Sequence, residues 1–244
     1  MSKMETDRGM RKAVLFDLYG TLVDIRTDEH DPYVYTMLSR YLGYHAVDIA
    51  ADEMKRSYFE GIQQCMDESK EIHPEVDVYK IFFNIMNKYG KKRSSKGIVI
   101  DVATLFRSLT MRQFGVFEGV YDVLVALCGQ YKTAIISDAQ WLYAEPEIAK
   151  LGLDQFFEVR ILSSRFGFKK PDPRLFRAAM EKIGVSPEDC IYVGDNPCKD
   201  MGGAKRVGMK FILFRSECRE FNGYEPDRCF HDYADFMKIL SGLL

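Results

Sequence analysis

Short apolar runs that end in polar or acidic residues recur along this chain, and between them apolar positions fall three and four residues apart. Residues 14–18 (Val-Leu-Phe-Asp-Leu) are apolar on both alternating faces except for the acid. That composition predicts a strand buried on both sides, as in a parallel sheet. Residues 133–137, 158–162, 190–194 and 211–214 carry the same signal, weakest near residue 160. Helical spacing fills the intervals. After Asp31 and Pro32, a capping acid and a first-turn proline, Tyr33, Met37 and Tyr41 alternate with Val34, Leu38 and Leu42 on one stripe. Residues 47–66 also read as a helix, as do the sets Val78, Ile81, Phe82, Ile85, Met86, Tyr89 and Val102, Leu105, Phe106, Leu109. Beyond residue 119, helices through Val123, Leu124 and Leu127, over 142–151, over 173–183 and up to Val207 alternate with the strands. Tyr233, Phe236, Met237 and Leu240 predict a closing helix, while the segment after Arg215 has no clear pattern.

Alternation of strand and helix implies parallel strands joined by right-handed crossovers. The expected fold is therefore α/β: a doubly wound parallel sheet, a Rossmann-like core, with an inserted all-helical cap. The core would comprise residues 11–25 and 118–244 and the cap residues 26–117. The basic stretch at residues 91–96 reads as a solvated turn between helices.

Composition narrows the partners. With 244 residues, 47% hydrophobic and 29% charged, the chain can bury a substantial core. A net charge of -2 gives no electrostatic case for nucleic acid or an anionic membrane surface, which leaves a small molecule as the expected partner. Six scattered cysteines (65, 128, 190, 198, 218, 229) form no CxxC pair and read as reduced thiols. Residues 1–10 lack an apolar signal core and no stretch is long enough to span a bilayer, so a cytoplasmic address is expected. Oligomeric state is not legible.

Four polar clusters fall where the strands end at one edge of the sheet: Asp17 with Gly20 and Thr21, Ser137 with Asp138, Lys170 before Pro171, and Asp195 with Asp200. Ligands of open α/β sheets gather there. Taken singly, Asp17 could cap a turn, Lys170 could lie on the surface, and Asp195 and Asp200 could be a turn acid and a first-turn helix acid. Asp172 with Pro173 is a helix cap and first-turn proline. Taken together, carboxylates on neighbouring parallel strands repel unless a cation separates them, and hard oxygen ligands suit Mg²⁺. Lys170 offers a clamp for remaining negative charge, and the hydroxyls of Thr21 and Ser137 can donate to phosphate-type oxygens.

The segments Asp17-Leu18-Tyr19-Gly20-Thr21-Leu22, Ile136-Ser137-Asp138, Lys170-Pro171-Asp172-Pro173 and Gly194-Asp195-Asn196-Pro197-Cys198-Lys199-Asp200 resemble the four ordered motifs of the haloacid dehalogenase superfamily. A helical insertion after the first motif resembles the cap of its first subfamily. The resemblance implies a hydrolase in which Asp17 is the nucleophile of a covalent aspartyl intermediate. It further implies that Gly20, Thr21, Ser137, Asp138 and Lys170 surround the transferring group. Mg²⁺ would be held by Asp17, the Tyr19 carbonyl and Asp195, with Asp200 supporting the metal or Lys170.

Two positions depart from the phosphatase pattern. Phosphatases of the superfamily usually carry an aspartate two residues after the nucleophile as general acid and base, and here Tyr19 stands there. Such proton transfer is worth about 10²- to 10⁴-fold. Tyrosine at this place resembles the 2-haloacid dehalogenases, whose halide leaving group needs no proton. Those enzymes, however, resemble one another in lacking the acid found here as Asp195, and their Trp-Arg-x-Lys-Gln pattern is absent, Trp141 being the only tryptophan. Asp138, where asparagine is common, would disfavour a second anionic group on the substrate. The expected function is thus a Mg²⁺-dependent phosphatase acting on a small phosphomonoester. A 2-haloacid dehalogenase is the alternative, and a non-catalytic member binding a phosphorylated ligand the third. Tyr33, Tyr41, Tyr58, Phe82 and Phe83 could line a pocket, although their spacing also fits ordinary helix packing.

Overall fold

A computed structural model describes residues 12–216 and 223–243. Its strands are β1 (Ala13–Phe16), β2 (Val23–Thr27), β3 (Met111–Val116), β4 (Lys132–Ser137), β5 (Val159–Leu162), β6 (Cys190–Gly194), β7 (Lys210–Phe214) and β8 (Arg228–Phe230). Six of them form one sheet in the order β5-β4-β1-β6-β7-β8, every pair parallel. β1 lies centrally, with Phe16 opposite Ile135 on one side and Val193 on the other. The α/β reading of the sequence holds.

Alternation along the buried strands feeds two cores. Val14, Phe16, Ile135, Val193 and Phe214 face one way and pack against α5 (Val120–Leu127), α6 (Trp141–Lys150) and α9 (Phe236–Ser241). Ala13, Leu15, Ile136, Tyr192 and Phe211 face the other way, against α7 (Pro173–Ile183) and α8 (Gly202–Arg206). The period-two pattern thus places helices on both faces.

A third core belongs to α1 (Pro32–Tyr44), α2 (Ala51–Glu68), α3 (Val78–Tyr89) and α4 (Lys96–Thr110), where Tyr35, Tyr58, Phe82 and Phe106 form an aromatic centre. Leu142 and Tyr143 of α6 also enter it, so this helical block shares side chains with the α/β body.

Several elements differ from the sequence reading. The block is entered and left through an antiparallel ribbon, β2 against β3, rather than directly from helix. Its Val-Asp-Ile-Arg-Thr alternation is period two, but only five residues long and half-exposed. Residues 47–50 are not helical, Val47 bridging Gly90 and Ala50 being extended, and α2 begins only at Ala51. Lys96 belongs to α4, whose cap is Ser95. The stretch Pro197–Met201 is a wide π turn before the short α8. β8 adds an edge strand after Arg215, and a 3-10 turn at Tyr233–Asp235 precedes α9. Residues 1–10 and Cys218 lie outside the described residues, and no disulfide joins the described cysteines. Among the described residues, no helix is long and apolar enough to cross a membrane.

Candidate active site

Each strand that ends at the central edge of the sheet delivers one part of a single buried cluster. The chain leaves β1 at Asp17, whose amide donates to Val193 O (2.9 Å) and whose Oδ1 accepts from the Leu18 amide (2.7 Å). It then turns tightly, the amides of Leu22 and Val23 returning to Leu18 O. Gly20 sits in this turn at φ +84°, and a Cβ there would lie 2.7 Å from Asp195 Oδ2. Only glycine satisfies both the left-handed backbone and that approach. Thr21 is fully buried, its hydroxyl donating to Asp195 Oδ1 (3.2 Å) and its carbonyl accepting from Tyr233 (2.8 Å).

Lys170 reaches the same point from the loop before α7. Its ammonium contacts Asp17 Oδ1 at 2.9 Å and Asp200 Oδ1 at 2.6 Å, with the Tyr192 hydroxyl at 3.2 Å. Tyr192 in turn donates to Ile136 O (2.7 Å). Asp200 returns to the strand end through the π turn, and its Oδ2 accepts from the Asn196 amide (2.9 Å). Gly194 makes that return possible, since a Cβ there would meet the Asp200 side chain at 2.5 Å. Ser137 closes β4 beside β1 and is buried. Asp138 follows it: Oδ1 accepts from the Lys170 amide (2.8 Å) and so ties the second predicted cluster to the third.

The charges do not balance. Asp17, Asp195 and Asp200 each offer an oxygen within 4.8 Å of the others, against one ammonium. Burial acts first and downward on Lys170, but Asp17 and Asp200 outweigh it and hold the group well above its ordinary value. Burial, opposed by Lys170 and reinforced by Asp17, pushes the Asp200 carboxyl up to about 7. Burial and then the Asp17 charge also raise Asp195. A surplus of buried carboxylates with hard oxygen donors fits a metal cation.

Asp17, Gly20, Thr21, Ser137, Asp138, Lys170, Asp195 and Asp200 all lie at this edge, with the Tyr19 side chain turned aside. Its phenol donates to Glu147 of α6, on which Arg107 of α4 forms a two-point ion pair (2.6 and 3.1 Å). Arg107 also lies over the rings of Tyr19 and Tyr143. Burial, then the Glu147 charge, raises the Tyr19 phenol far above its ordinary value. Sequence reasoning missed this joint. Glu147 did carry a signal, an acid on the apolar face of α6 among Leu142, Tyr143, Ala144 and Ile148. A cavity of about 340 Å³ opens beside it, bounded by Tyr19, Asp138 and Tyr143 and by Glu29, Tyr58 and Arg107 of the insertion. Of the aromatic residues considered for a pocket, Tyr58 reaches the cavity, Phe82 is core, and Tyr33 is exposed.

Comparison with known proteins gives the family and the fold. The family description for haloacid dehalogenase-like hydrolases matches residues 11–208. A glyceraldehyde 3-phosphate phosphatase of Methanopyrus kandleri is 26% identical over 93% of this chain and 92% of its own. The enzyme of that name from Pyrococcus furiosus is 39% identical, over 44% of this chain and 43% of its own length. Among solved structures, a 2-haloacid dehalogenase from Pseudomonas syringae superposes with a TM-score of 0.71 over 96% of this chain and all of its own, at 21% identity, a likeness of fold. A HAD phosphatase from Thermococcus onnurineus gives 0.60 over 95% and 98%, at 25% identity. With its family match over most of its length and that family's fold around a buried Asp-Lys-Asp edge, the chain belongs to the haloacid dehalogenase-like hydrolases.

Proposed function

We propose that the protein is a Mg²⁺-dependent phosphatase of small phosphomonoesters, with Asp17 as nucleophile and residues 26–117 acting as its cap. The observation that carries this reading is the carboxylate surplus at the strand ends: three acids against Lys170, with Asp195 intact. The phosphatase names of relatives aligned over nearly the whole chain support it.

In this reading Asp17, the Tyr19 carbonyl, Asp195 and Asp200 hold the metal, which supplies charge neutralisation for an anionic substrate approaching an anionic nucleophile. Leu18 and Lys170 both engage Asp17 Oδ1, which leaves Oδ2 for attack on phosphorus. The new oxygen–phosphorus bond forms as the bond to the alcohol breaks, giving an aspartyl-phosphate and the alkoxide. The alkoxide takes its proton from solvent; water then attacks phosphorus, breaking the bond to Asp17 and returning a proton to solvent, and frees Asp17 and inorganic phosphate. Ser137, Thr21 and Lys170 would bind the phosphoryl oxygens. Tyr19 is committed to Glu147, so no side-chain carboxyl stands ready at that position to protonate the departing alkoxide. Aryl phosphates, whose leaving groups need little protonation, should outpace alkyl phosphates.

The dehalogenase reading draws on Tyr19 but meets an obstacle. A 2-haloacid brings a carboxylate that needs a cation, and Arg107, the one cation lining the cavity among the described residues, is already paired with Glu147. A panel of phosphomonoesters and 2-haloacids, with Mg²⁺ and with EDTA, tests the choice. We expect Mg²⁺-dependent phosphate release that EDTA abolishes. Metal-independent halide release from 2-chloropropionate would reverse the assignment.

A further inference from the structure

The described residues contain two buried side-chain oxygens without a hydrogen-bond partner, Asp138 Oδ2 and the Tyr143 hydroxyl. Both residues line the same 340 Å³ cavity beside the strand-end cluster. Buried polar atoms left unpaired are costly, and their coincidence in one cavity marks where a ligand would complete them. Tyr143 is 6% exposed, its ring held beneath the Arg107 guanidinium. Asp138 cannot turn away, because its Oδ1 accepts from the Lys170 amide; Oδ2 has a long ion pair at 3.7 Å with the exposed Lys199 ammonium and no hydrogen bond.

The rest of the wall sets the sign of the ligand. Glu29 and Glu75 join Asp138, so three carboxyls line the cavity against Arg107, which Glu147 already neutralises. Glu75 is satisfied by Ser163, the Val76 amide and Gln140. Burial raises both Glu29 and Glu75 above the ordinary carboxyl range, opposed in part by Arg107 and Lys169 respectively. The remaining hydrogen-bonding capacity is mostly acceptor, and an additional anion would find no unpaired cation in the lining, Arg107 being held by Glu147 and Lys199, outside the lining, facing Asp138.

Building on the phosphatase reading, we propose that this cavity receives the alcohol part of the substrate and selects one that carries hydrogen-bond donors and no second negative charge. An amino-alcohol or polyol monophosphate has that chemistry, its ammonium or hydroxyl meeting Asp138 Oδ2 and the Tyr143 hydroxyl. This also gives Asp138 a purpose: one oxygen fixes the Lys170 loop and the other reads the leaving group.

The test is kcat/KM of the full chain with Mg²⁺ on phosphoethanolamine, glycerol 3-phosphate, phosphoglycolate and para-nitrophenyl phosphate. We expect phosphoethanolamine and glycerol 3-phosphate to exceed phosphoglycolate by about tenfold or more. Asp138→Asn keeps the acceptor for the Lys170 amide and removes the charge, and should shift the phosphoethanolamine-to-phosphoglycolate ratio by roughly tenfold toward phosphoglycolate. Tyr143→Phe should raise KM for the two donor-bearing alkyl substrates about three- to tenfold, and less for the aryl phosphate. Turnover of the aryl phosphate with phosphoglycolate preferred, or an unchanged ratio in Asp138→Asn, overturns this proposal alone. Absence of turnover on every phosphomonoester overturns the phosphatase reading and this proposal with it.

Discussion

Two buried clusters, one joining Lys170 to Asp17 and Asp200 and one joining Arg107 to Glu147 and Tyr19, are built from the same materials: one cation, carboxylate and a tyrosine hydroxyl. They differ in balance. Around Lys170 two carboxylates, Asp17 at a strand end and Asp200 in the π turn, contact one ammonium, and a third, Asp195, stands beside them. Around Arg107 a single carboxylate takes both guanidinium nitrogens, and Tyr19 donates to it as well. The first arrangement is completed only by something positive from outside. The second is complete in itself and links the α4 helix of the insertion to α6 and to the loop after β1. Imbalance marks chemistry, and balance marks a joint.

The sharpest break of that contrast is Asp17→Asn, which keeps the shape and removes the carboxylate proposed as nucleophile. We expect phosphatase turnover to fall by more than ~10³-fold, with unchanged circular dichroism. Normal turnover by a well-folded variant would take the nucleophile away from Asp17. Lys170→Met comes next. It leaves three carboxyls facing one another at a site where the lysine is 2% exposed, and should cost about 3–5 kcal/mol in denaturant unfolding besides activity. A stability loss below ~1 kcal/mol would mean that the carboxyls tolerate one another without the ammonium.

Glu147→Gln tests the other half. It strands a nearly buried guanidinium, with side chains 14% and 9% exposed, and should lower stability by about 3 kcal/mol while changing kcat less than tenfold. A kcat loss as large as that of Asp17→Asn, at full stability, would make the joint part of the chemistry and dissolve the comparison.

The contrast also explains what the sequence could reveal. The strand-end cluster was legible because short apolar runs fix where each polar residue emerges, and parallel pairing of β1 with β4 and β6 brings those ends together. Asp17, Ser137 and Asp195 follow from local pattern plus topology, whereas Lys170 arrives on the loop beyond β5 and is placed by its Lys-Pro-Asp-Pro motif. The joint was not legible, because Arg107 and Glu147 lie on different helices in different parts of the chain, and a charged residue on an amphipathic helix ordinarily faces water. The place of Glu147 on the apolar face of α6 hints at burial, but only the docking of the insertion decides that Arg107 meets it there. The β2–β3 ribbon escaped for a related reason: its half-exposed strands are held by each other rather than by an apolar core.

The smallest expected effect separates a second joint from the chemistry. Glu75, between α2 and α3, takes hydrogen bonds from Ser163 and Gln140 of the α/β body, while its own amide donates to Gly167 O (3.1 Å). Burial raises its carboxyl above the ordinary value, only partly offset by the Ser163 hydrogen bond. The folded protein therefore binds this proton more readily than the unfolded chain. Stability from this group is fullest below the ordinary carboxyl range and is lost as pH rises through the raised value. Glu75→Gln carries no such proton, so the difference in unfolding free energy between wild type and variant should drift with pH, by less than ~1 kcal/mol from pH 4 to pH 7.5. The drift should favour wild type on the acid side, and unfolding rather than turnover is the readout, because Glu75 also lines the cavity beside the carboxylate cluster. A drift of the opposite sign would mean that the folded state holds Glu75 as a stabilised anion, and its contacts would then be those of an ion pair rather than of a buried neutral joint.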